Sequence, residues 1–487
     1  MKRLITRRQA IAGAVLAPLA FQRNKLKAQS AAKPNIVYIM ADDMGYADLS
    51  CYGRPDYTTP NIDRLAASGV RLTQAYANSA VCSATRTALI TGRYQYRLSV
   101  GLEEPINGRS RENVGLSPSH PTIPSLLKKV GYGTTLIGKW HLGNLPDYGP
   151  LKSGYDHYWG FRSGSVDYFT HGGLNGSELW DGDTKVDEAG YLTDLIGNHA
   201  VNSIAAYAKA RQTFFMSLHF SAPHWPWEGP NDQAEGQRVH GGPDYDGGSQ
   251  KTYAEMVTRL DFQIGRVLKA LEAGGVRNNT IVIFTSDNGG ERFADTWPFT
   301  GKKTELLEGG LRIPAIVSWP GHIKPKTTNE QTAMSMDWLP TLVAAAGTQP
   351  DPAYPPDGMN LLPQLTQGVA PVSRKLFWRY KARNQQAMRD GDMKYLKINE
   401  NTFLFNVVAD PLERANLKNR QPEVFKRMVA DYNAWNATML PEDGGNSDFF
   451  TPAELADHFN SPTPAAPAGG AGRGAGRGAG TGTPPAN

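Results

Sequence analysis

Apolar residues in this chain recur in short runs that alternate with longer amphipathic segments. Four runs are apolar almost throughout: Asn35 to Met40, Thr134 to Ile137, Phe214 to Phe220 and Thr280 to Thr285. Such runs are typical of parallel strands that are covered on both faces. Residues 252–272 carry apolar side chains at helical spacing, with Gly274 as a stop signal, and Thr59-Pro60 begins another predicted helix. The alternation predicts an α/β fold in which helices sandwich a mostly parallel sheet.

The pattern changes after about residue 370, where the apolar runs become shorter and lie closer together. Four of them predict antiparallel strands: 375–380, 385–389, 393–398 and 402–406. Asp390-Gly391 predicts a hairpin turn, and a helix is expected at about 421–437. We therefore expect a large α/β domain over residues 33–369 and a smaller C-terminal α+β subdomain with an antiparallel sheet over residues 370–445.

The two ends of the chain differ in composition from the rest. Residues 1–32 predict a twin-arginine signal peptide, because Arg7-Arg8 precedes an apolar run that ends at Phe21 and is too short to span a bilayer. An uncleaved anchor is the alternative. Residues 446–487 are rich in Pro, Gly and Ala and predict a disordered tail. We expect a periplasmic or secreted bacterial protein without a stable membrane span.

The formal net charge of +5 comes from the predicted signal peptide. Residues 1–30 contain seven basic residues and no acidic one, and subtracting these seven charges from +5 leaves −2. A nearly neutral protein lacks the basic face that nucleic-acid binding needs, and the Arg-Gly repeats of the tail contain only two arginines. We therefore expect no nucleic-acid partner, although a local basic pocket for a small anion is compatible with this composition.

Polar side chains follow each of the four predicted strands of the large domain: Asp42-Asp43 the first, Lys139 and His141 the second, His224 the third, and Asp287-Asn288 the fourth. In open parallel sheets, functional sites form outside the carboxyl ends of the strands, so these seven residues are expected to converge. Three carboxylates and an amide would suit a hard cation, Ca²⁺ or Mg²⁺. Taken singly, Asp42-Asp43 also fits a strand-end turn or a helix cap, and Asp287-Asn288 fits an ordinary turn.

Cationic side chains in the same part of the sequence would suit an anionic substrate. Arg86, Lys139 and either Lys302 or Lys303 would clamp a tetrahedral oxyanion and neutralise charge on a leaving oxygen. Two histidines, His141 and His224, are able to exchange protons near neutral pH. The alternative for each of these residues is a solvated surface charge or a structural hydrogen bond.

One pentapeptide connects these residues to a known family. Cys82-Ser83-Ala84-Thr85-Arg86 matches the sulfatase signature of Cys or Ser, any residue, Pro or Ala, any residue, and Arg. Other segments resemble the same family, in order along the chain: Asp42 to Tyr46, Gly138 to Gly143, Ala222 to His224, Ser286 to Gly289, Lys303 to Gly310 and Asp410 to Leu417. The chain from Asn35 to about Leu417 therefore resembles the arylsulfatase-type, formylglycine-dependent sulfatases, which have an alkaline-phosphatase-like fold.

The resemblance implies a role for every candidate residue. One calcium ion would be bound by Asp42, Asp43, Asp287 and Asn288, and also by Cys82 after its oxidation to formylglycine, whose hydrate is the nucleophile. By the same resemblance, Arg86 would stabilise the hydrate, and Lys139 would bind sulfate and the nucleophile. His141 would deprotonate the second hydroxyl, and His224 and Lys303 would assist the leaving group. The family's spacing to Glu308-Gly309-Gly310 favours Lys303, and Lys302 is the runner-up.

The sequence thus predicts an exported, calcium-dependent sulfuric ester hydrolase, with a sulfated small molecule or carbohydrate as substrate and a formylglycine-generating maturation enzyme as partner. Two alternatives stay open: a phosphonate or phosphate monoester hydrolase on the same fold, and a non-catalytic binding protein in which Cys82 is not converted. A Cys51–Cys82 disulfide would favour the binding protein, because formylglycine has no sulfur. Trp225 and Trp227 would stack on a sugar ring or simply pack in the core.

Overall fold

The computed structural model describes most of the chain from Lys33 onwards, namely residues 33–108, 110–111, 113–173, 176–235, 247–442 and 447. The predicted signal peptide, residues 1–32, lies outside the described residues, and so does the predicted tail except for Ser447. All of the described residues belong to one compact unit. The boundary near residue 370 stays a prediction.

The first strand shows why an apolar run forms a buried strand here. β1 (Asn35–Ala41) is buried along its whole length. Val37 and Ile39 pack into the hydrophobic core on one face of the sheet, and Ile36 and Tyr38 pack into the core on the other face. Because successive side chains of a strand point to opposite faces, a strand covered on both sides needs apolar residues at every position.

The other strands of the described residues follow in chain order: β2 (Val70–Leu72), β3 (Ala75–Tyr76), β4 (Gly133–Lys139), β5 (His157–Phe161), β6 (Gly172–Gly173), β7 (Gly176–Ser177), β8 (Leu179–Asp181), β9 (Thr184–Lys185), β10 (Phe214–His219), β11 (Thr280–Ser286), β12 (Ala315–Ser318), β13 (Thr327–Asn329), β14 (Ala333–Met334), β15 (Lys375–Tyr380), β16 (Gln385–Asp390), β17 (Met393–Ile398) and β18 (Asn401–Asn406). The main sheet has the order β13-β2-β12-β11-β1-β10-β4-β5-β8-β9. Its five central strands, from β11 to β5, are parallel, and both edges include antiparallel pairs. The four predicted strands are therefore neighbours at the centre of a mixed sheet.

The α-helices of the described residues are α1 (Pro60–Ala67), α2 (Cys82–Thr91), α3 (Ile123–Lys128), α4 (Leu192–Ala210), α5 (Gln250–Ala273), α6 (Glu308–Leu311), α7 (Trp338–Ala345), α8 (Leu362–Thr366) and α9 (Pro422–Asn436), and several of them cover the two faces of the main sheet. The core on one face contains residues of α1, α4 and α5, and the core on the other contains residues of α3, α7 and α8. Helix α5 begins where Ser249 caps it, since the Ser249 hydroxyl accepts from the Thr252 N–H at 3.0 Å. Within the described ranges, no helix is both long and apolar enough to cross a membrane.

The C-terminal strands form a separate antiparallel sheet in the order β15-β16-β17-β18. Gly391 has a φ of +58° in the turn between β16 and β17, which confirms the hairpin predicted from Asp390-Gly391. Trp378 of β15 and Met428 of α9 lie in the same hydrophobic core, so α9 packs on this sheet. The small sheet and its helix were both predicted from the sequence.

Helix α2 lies between the two sheets. Ala84 and Ala88 belong to the core of the C-terminal sheet, whereas Leu89 and Ile90 belong to a core of the main sheet. Every residue of α2 is buried, which is uncommon for a helix that includes an arginine. The first turn of this helix carries Cys82, so packing from both sides fixes the position of that residue.

Candidate active site

The carboxylates and the amide predicted to converge do meet at the carboxyl edge of the parallel sheet. β1 and β11 pair in register up to the last residue of each strand, and the residues that follow are Asp42-Asp43 and Asp287-Asn288. The N–H of Asp43 donates to Asp287 Oδ1 at 3.2 Å, and Asn288 Nδ2 donates to Asp43 Oδ1 at 2.7 Å. All four side chains are buried.

The second strand end adds a cation to this group. Lys139 is the last residue of β4, and its Nζ lies 2.5 Å from Asp42 Oδ2 with both side chains fully buried. The predicted strand stops two residues earlier, because the pattern followed only apolar residues and Lys139 is charged. His141 follows with a φ of +56°, in a region that non-glycine residues rarely occupy.

Helix α2 contributes two residues to the site from one face. Cys82 occupies its first turn and Arg86 follows four residues later, a spacing that places both on the same side of a helix. The Arg86 guanidinium lies 2.9 Å from Asp287 Oδ2 and 3.5 Å from Asp42 Oδ2. It also donates to the carbonyl oxygen of Lys139 at 3.2 Å. The arginine thus links the ends of three central strands to the helix that carries Cys82.

Lys303 and His224 both contact the third carboxylate of the site, Asp43. Lys303 Nζ donates to Asp43 Oδ2 at 2.7 Å and lies 3.2 Å from His224 Nε2. His224 Nε2 is in turn 3.4 Å from Asp43 Oδ2. Lys302, the other candidate lysine, is also largely buried, and its N–H donates to Glu305 Oε2 at 3.2 Å.

Both site histidines have a carbonyl oxygen at one ring nitrogen, which identifies the tautomer. His141 Nε2 lies 2.7 Å from the Ile106 carbonyl, so Nε2 carries the hydrogen and Nδ1 is an acceptor. His224 Nδ1 lies 2.5 Å from the Trp225 carbonyl, so the lone pair of Nε2 faces Lys303. Burial first, and then the nearby lysines Lys139 and Lys303 respectively, hold the pKa of each ring well below its usual value. Both rings are therefore neutral bases in the resting protein.

Burial also sets the protonation of the acids. It raises the pKa of Asp42 to about 8, with repulsion from Asp287 acting in the same direction. For Asp287 burial acts upward too, but attraction to Arg86 and Lys139 outweighs it, so the pKa of Asp287 lies below its usual value. Burial raises the pKa of the Cys82 thiol to about 12 despite the nearby lysines. Unmodified Cys82 is therefore a thiol at neutral pH, and a thiol is a poor nucleophile.

The donor set fits a hard cation. Asp42 Oδ1 and Asn288 Oδ1 are buried and have no hydrogen-bond partner within the described part of the chain. Such atoms are costly to leave unpaired unless something else coordinates them. Ligand atoms of Asp42, Asp43, Cys82 and His224 all lie within 4.8 Å of one another. Of the atoms named here, the oxygens of Asp42, Asp43 and Asn288 suit Ca²⁺ or Mg²⁺.

Comparison with known proteins then identifies the family. A profile of the family described as Sulfatase matches residues 34–348, more than half of the chain. This chain belongs to the sulfatase family. The sulfatase is 34% identical over 369 residues to human N-acetylgalactosamine-6-sulfatase, with 71% of this chain and 68% of the relative covered. It is 30% identical over 469 residues to mouse arylsulfatase J, with 84% and 77% covered.

Solved structures agree with this assignment. The sulfatase matches the crystal structure of Ps i-CgsB in complex with k-i-k-neocarrahexaose with a TM-score of 0.77 and 29% identity, over 87% of this chain and 97% of that one. A phosphonate monoester hydrolase of Agrobacterium radiobacter matches with a TM-score of 0.60 and 20% identity, over 83% and 95%, which shows a shared fold only. The predictions of the family, the alkaline-phosphatase-like fold and a sulfuric ester hydrolase are thus confirmed.

Several contacts of the site were not predicted. The carbonyl of Ile106 comes from a loop, and no residue type signals a backbone acceptor. Tyr168 OH donates to the His224 carbonyl at 2.9 Å. His219, the last residue of β10, is buried, and its Nδ1 lies 3.4 Å from Arg86. The two cysteines of the sulfatase are unpaired, with Cys51 half-buried and Cys82 buried.

Proposed function

We propose that this sulfatase hydrolyses sulfate monoesters of carbohydrates, using a formylglycine made from Cys82 and one bound Ca²⁺. The observation that carries the proposal is the surroundings of Cys82. It lies within 4.8 Å of Asp42, Asp43 and His224 and shares the carboxyl edge of the sheet with Arg86. Among the residues that the structure describes, no other cluster of three or more His, Cys, Asp or Glu side chains could hold a metal ion.

The charge of the site supports a cation and an anionic ester together. Three buried carboxylates face three buried cations: Asp42, Asp43 and Asp287 against Arg86, Lys139 and Lys303. Asp42, Asp43, Asp287 and Asn288 would hold the Ca²⁺, which would polarise a sulfate oxygen and hold the oxygen of the nucleophile. A divalent cation would favour the ionised form of Asp42, and its charge would then exceed the balance of three carboxylates and three cations, which attracts a sulfate ester.

The protonation of Cys82 supports its conversion. A pKa near 12 leaves almost no thiolate at neutral pH, so the encoded side chain would contribute little as a nucleophile. A formylglycine hydrate at this position would supply one hydroxyl to attack sulfur and a second that lets sulfate leave by elimination. Arg86, fixed by Asp287, would orient that group from one helical turn away. Lys139 would bind the sulfate oxygens.

Proton movements follow from the two tautomers. His141 Nε2–H is held by a carbonyl, and Nδ1 is buried with no hydrogen-bond partner among the described residues. We therefore assign Nδ1 of His141 as the base for the second hydroxyl. On the leaving-group side, burial lowers the pKa of Lys303, but attraction to Asp43 and the other acidic groups around it together outweighs burial and keeps this pKa well above its usual value. Lys303 would hold the proton for the leaving oxygen, with His224 Nε2 orienting it, and this favours Lys303 over Lys302.

Both the relatives and one aromatic side chain support a carbohydrate substrate. The relatives include N-acetylgalactosamine-6-sulfatases, and Ps i-CgsB was solved with a neocarrahexaose. The Trp225 ring lies 4.4 Å from the His224 ring, and Lys303 Nζ lies 5.8 Å from its centroid. Trp225 is partly exposed, whereas Trp227 is buried against Phe293. A sugar that leaves beside His224 would stack on Trp225, while Trp227 packs.

The proposal includes the predicted organisation of the chain. A twin-arginine signal peptide over residues 1–32 would direct the protein to the periplasm or the medium. The catalytic domain would span residues 33–369, the C-terminal subdomain residues 370–445, and a tail residues 446–487. A formylglycine-generating enzyme of the host would be the maturation partner.

Mass spectrometry of the Cys82 peptide, from protein isolated from its native host, tests the proposal. We expect an aldehyde or its hydrate at Cys82. Sulfate release from 4-nitrophenyl sulfate should disappear in Cys82→Ala and persist in Cys51→Ser, the matched control. An intact thiol at Cys82, or unchanged activity in Cys82→Ala, would contradict the mechanism. Faster turnover of the matched phosphate ester would instead favour a phosphate or phosphonate ester hydrolase.

A further inference from the structure

The C-terminal sheet contacts the segment that carries Lys303 through one buried amide side chain. Gln385 is the first residue of β16 and is 2% exposed. Its Nε2 donates to the carbonyl of Thr304 at 2.9 Å, and its Oε1 accepts from the N–H of Leu306 at 2.9 Å. We propose that Gln385 is a positioning residue for Lys303, so that the C-terminal sheet takes part in leaving-group assistance. This inference rests on the proposed function.

The backbone next to Lys303 needs such support. Thr304 has a φ of +70°, in the left-handed region that a threonine rarely adopts and that persists only when surrounding contacts impose it. The N–H of Lys303 donates to the Gly290 carbonyl at 3.0 Å, and the N–H of Thr304 donates to the Ala80 carbonyl at 2.9 Å. Both acceptors belong to segments of the site itself, one just after Asn288 and the other just before Cys82.

Gln385 pairs two further backbone groups of the same segment. The carbonyl of Thr304 requires a donor and the N–H of Leu306 requires an acceptor, and a primary amide provides both on two separate atoms. Gln385 Nε2 also donates to the Ala382 carbonyl at 3.1 Å, which holds the amide in this orientation. The lysine segment is thereby fixed from three directions: the loop after β11, the loop before α2, and β16.

A residue that only stabilises the fold would affect every substrate equally, whereas a positioning residue for Lys303 would not. Protonation of the leaving oxygen matters little when the leaving group is a stable anion and much when it is a poor one. Displacing Lys303 Nζ should therefore slow esters of weakly acidic alcohols more than esters of acidic phenols. This difference separates positioning from a general loss of folded protein.

The experiment measures kcat/KM on 4-nitrophenyl, 3-nitrophenyl and phenyl sulfate for the matured enzyme and four variants. Gln385→Leu removes both hydrogen-bonding groups, and Gln385→Glu keeps the shape and the acceptor but loses the amide donor. Lys303→Met shows the largest loss of kcat/KM to be expected, that of removing the lysine itself, since general acid–base catalysis contributes about 10²- to 10⁴-fold. The matched control is Gln386→Leu, because Gln386 is the next residue of β16 and its Oε1 accepts from Tyr395 OH at 3.2 Å, away from the lysine segment.

We expect Gln385→Leu to lose about 3-fold on 4-nitrophenyl sulfate and about 30-fold on phenyl sulfate, a part of the Lys303→Met effect. Gln385→Glu should show a smaller change in the same direction, and Gln386→Leu should stay within about 2-fold of wild type on all three esters. An equal loss on all esters in both Gln385 variants overturns the inference. If Lys303→Met itself shows no leaving-group dependence, or the wild-type enzyme releases no sulfate, the inference fails together with the proposed function.

Discussion

Glu228 offers a test of how burial controls charge beside the site. Its side chain is 0% exposed, and its Oε2 accepts from the N–H of Tyr168 at 3.0 Å. Burial, followed by repulsion from Asp167, raises the pKa of Glu228 to about 9 from a usual value of 4.5, and Glu235 acts in the same direction. The folded protein therefore keeps this proton at neutral pH, whereas the unfolded chain releases it. Glu228→Gln is the perturbation, because an amide has the same shape and does not ionise.

The sign and size of the effect follow from linkage. A carboxyl group whose pKa is raised by folding contributes stability that is complete below pH 4.5 and is lost as the pH rises from about 4.5 to about 9. Each pH unit in this window corresponds to about 1.4 kcal/mol, so roughly 5 kcal/mol is the upper limit at pH 8. Allowing about 1 kcal/mol for altered hydrogen bonds, we expect Glu228→Gln to stabilise the protein by roughly 2–4 kcal/mol at pH 8 and to have little effect at pH 5.

The assay is the melting temperature of wild type and variant by scanning calorimetry at pH 5, 6, 7, 8 and 9. The matched control is Glu272→Gln, because Glu272 is exposed on α5 and surface changes of this kind stay within about 0.5 kcal/mol. The difference between Glu228→Gln and wild type should grow steadily with pH. A variant that is less stable than wild type at pH 8 would show that Glu228 is ionised in the folded protein and would refute the reasoning.

Two further changes test the buried charges. Lys394 Nζ lies 2.9 Å from both Glu308 Oε1 and Glu413 Oε1, and all three side chains are fully buried. We therefore expect Lys394→Met to lower the free energy of unfolding by about 3–5 kcal/mol, measured by urea denaturation. Lys397→Met on the same strand is the control, and equally small losses of stability in both variants would contradict the prediction. Chelating Ca²⁺ should lower the melting temperature, and adding Ca²⁺ back at 100-fold excess over Kd should restore it by raising the free energy of unfolding by about 3 kcal/mol. In Asn288→Leu this Ca²⁺-dependent shift should vanish. A shift that persists in the variant would show that Asn288 does not bind the cation.

The parts of the fold that the sequence predicted are those where local pattern and burial coincide. β1 is apolar almost throughout because both of its faces are covered, so its position could be predicted to within a residue. β8 and β9 at the sheet edge have two or three residues each, and Asp181, Thr184 and Lys185 are exposed. Such short, solvent-facing strands leave no apolar run, which is why the antiparallel edge formed by β8 and β9 was not predicted.

The residues of the site likewise divide into those that the sequence could place and those that it could not. Asp42 and Asp287 could be placed together because the ends of parallel strands share one edge of the sheet, a rule that needs no side-chain geometry. The hydrogen-bond partners of the histidines could not, because Ile106 and Trp225 contribute backbone carbonyls, which every residue has. Gln385 lies 81 residues after Thr304 in the sequence, and only the docking of the C-terminal sheet brings the two together.

The burial of α2 determines whether Cys82 is modified before or after the chain folds. Cys82 is 2% exposed, every residue of its helix is buried, and the helix is enclosed by two hydrophobic cores. A maturation enzyme cannot bind this peptide in the folded protein, so the proposed oxidation of Cys82 has to precede folding. A chain that folded before its Cys82 was oxidised would then stay inactive until it unfolded again.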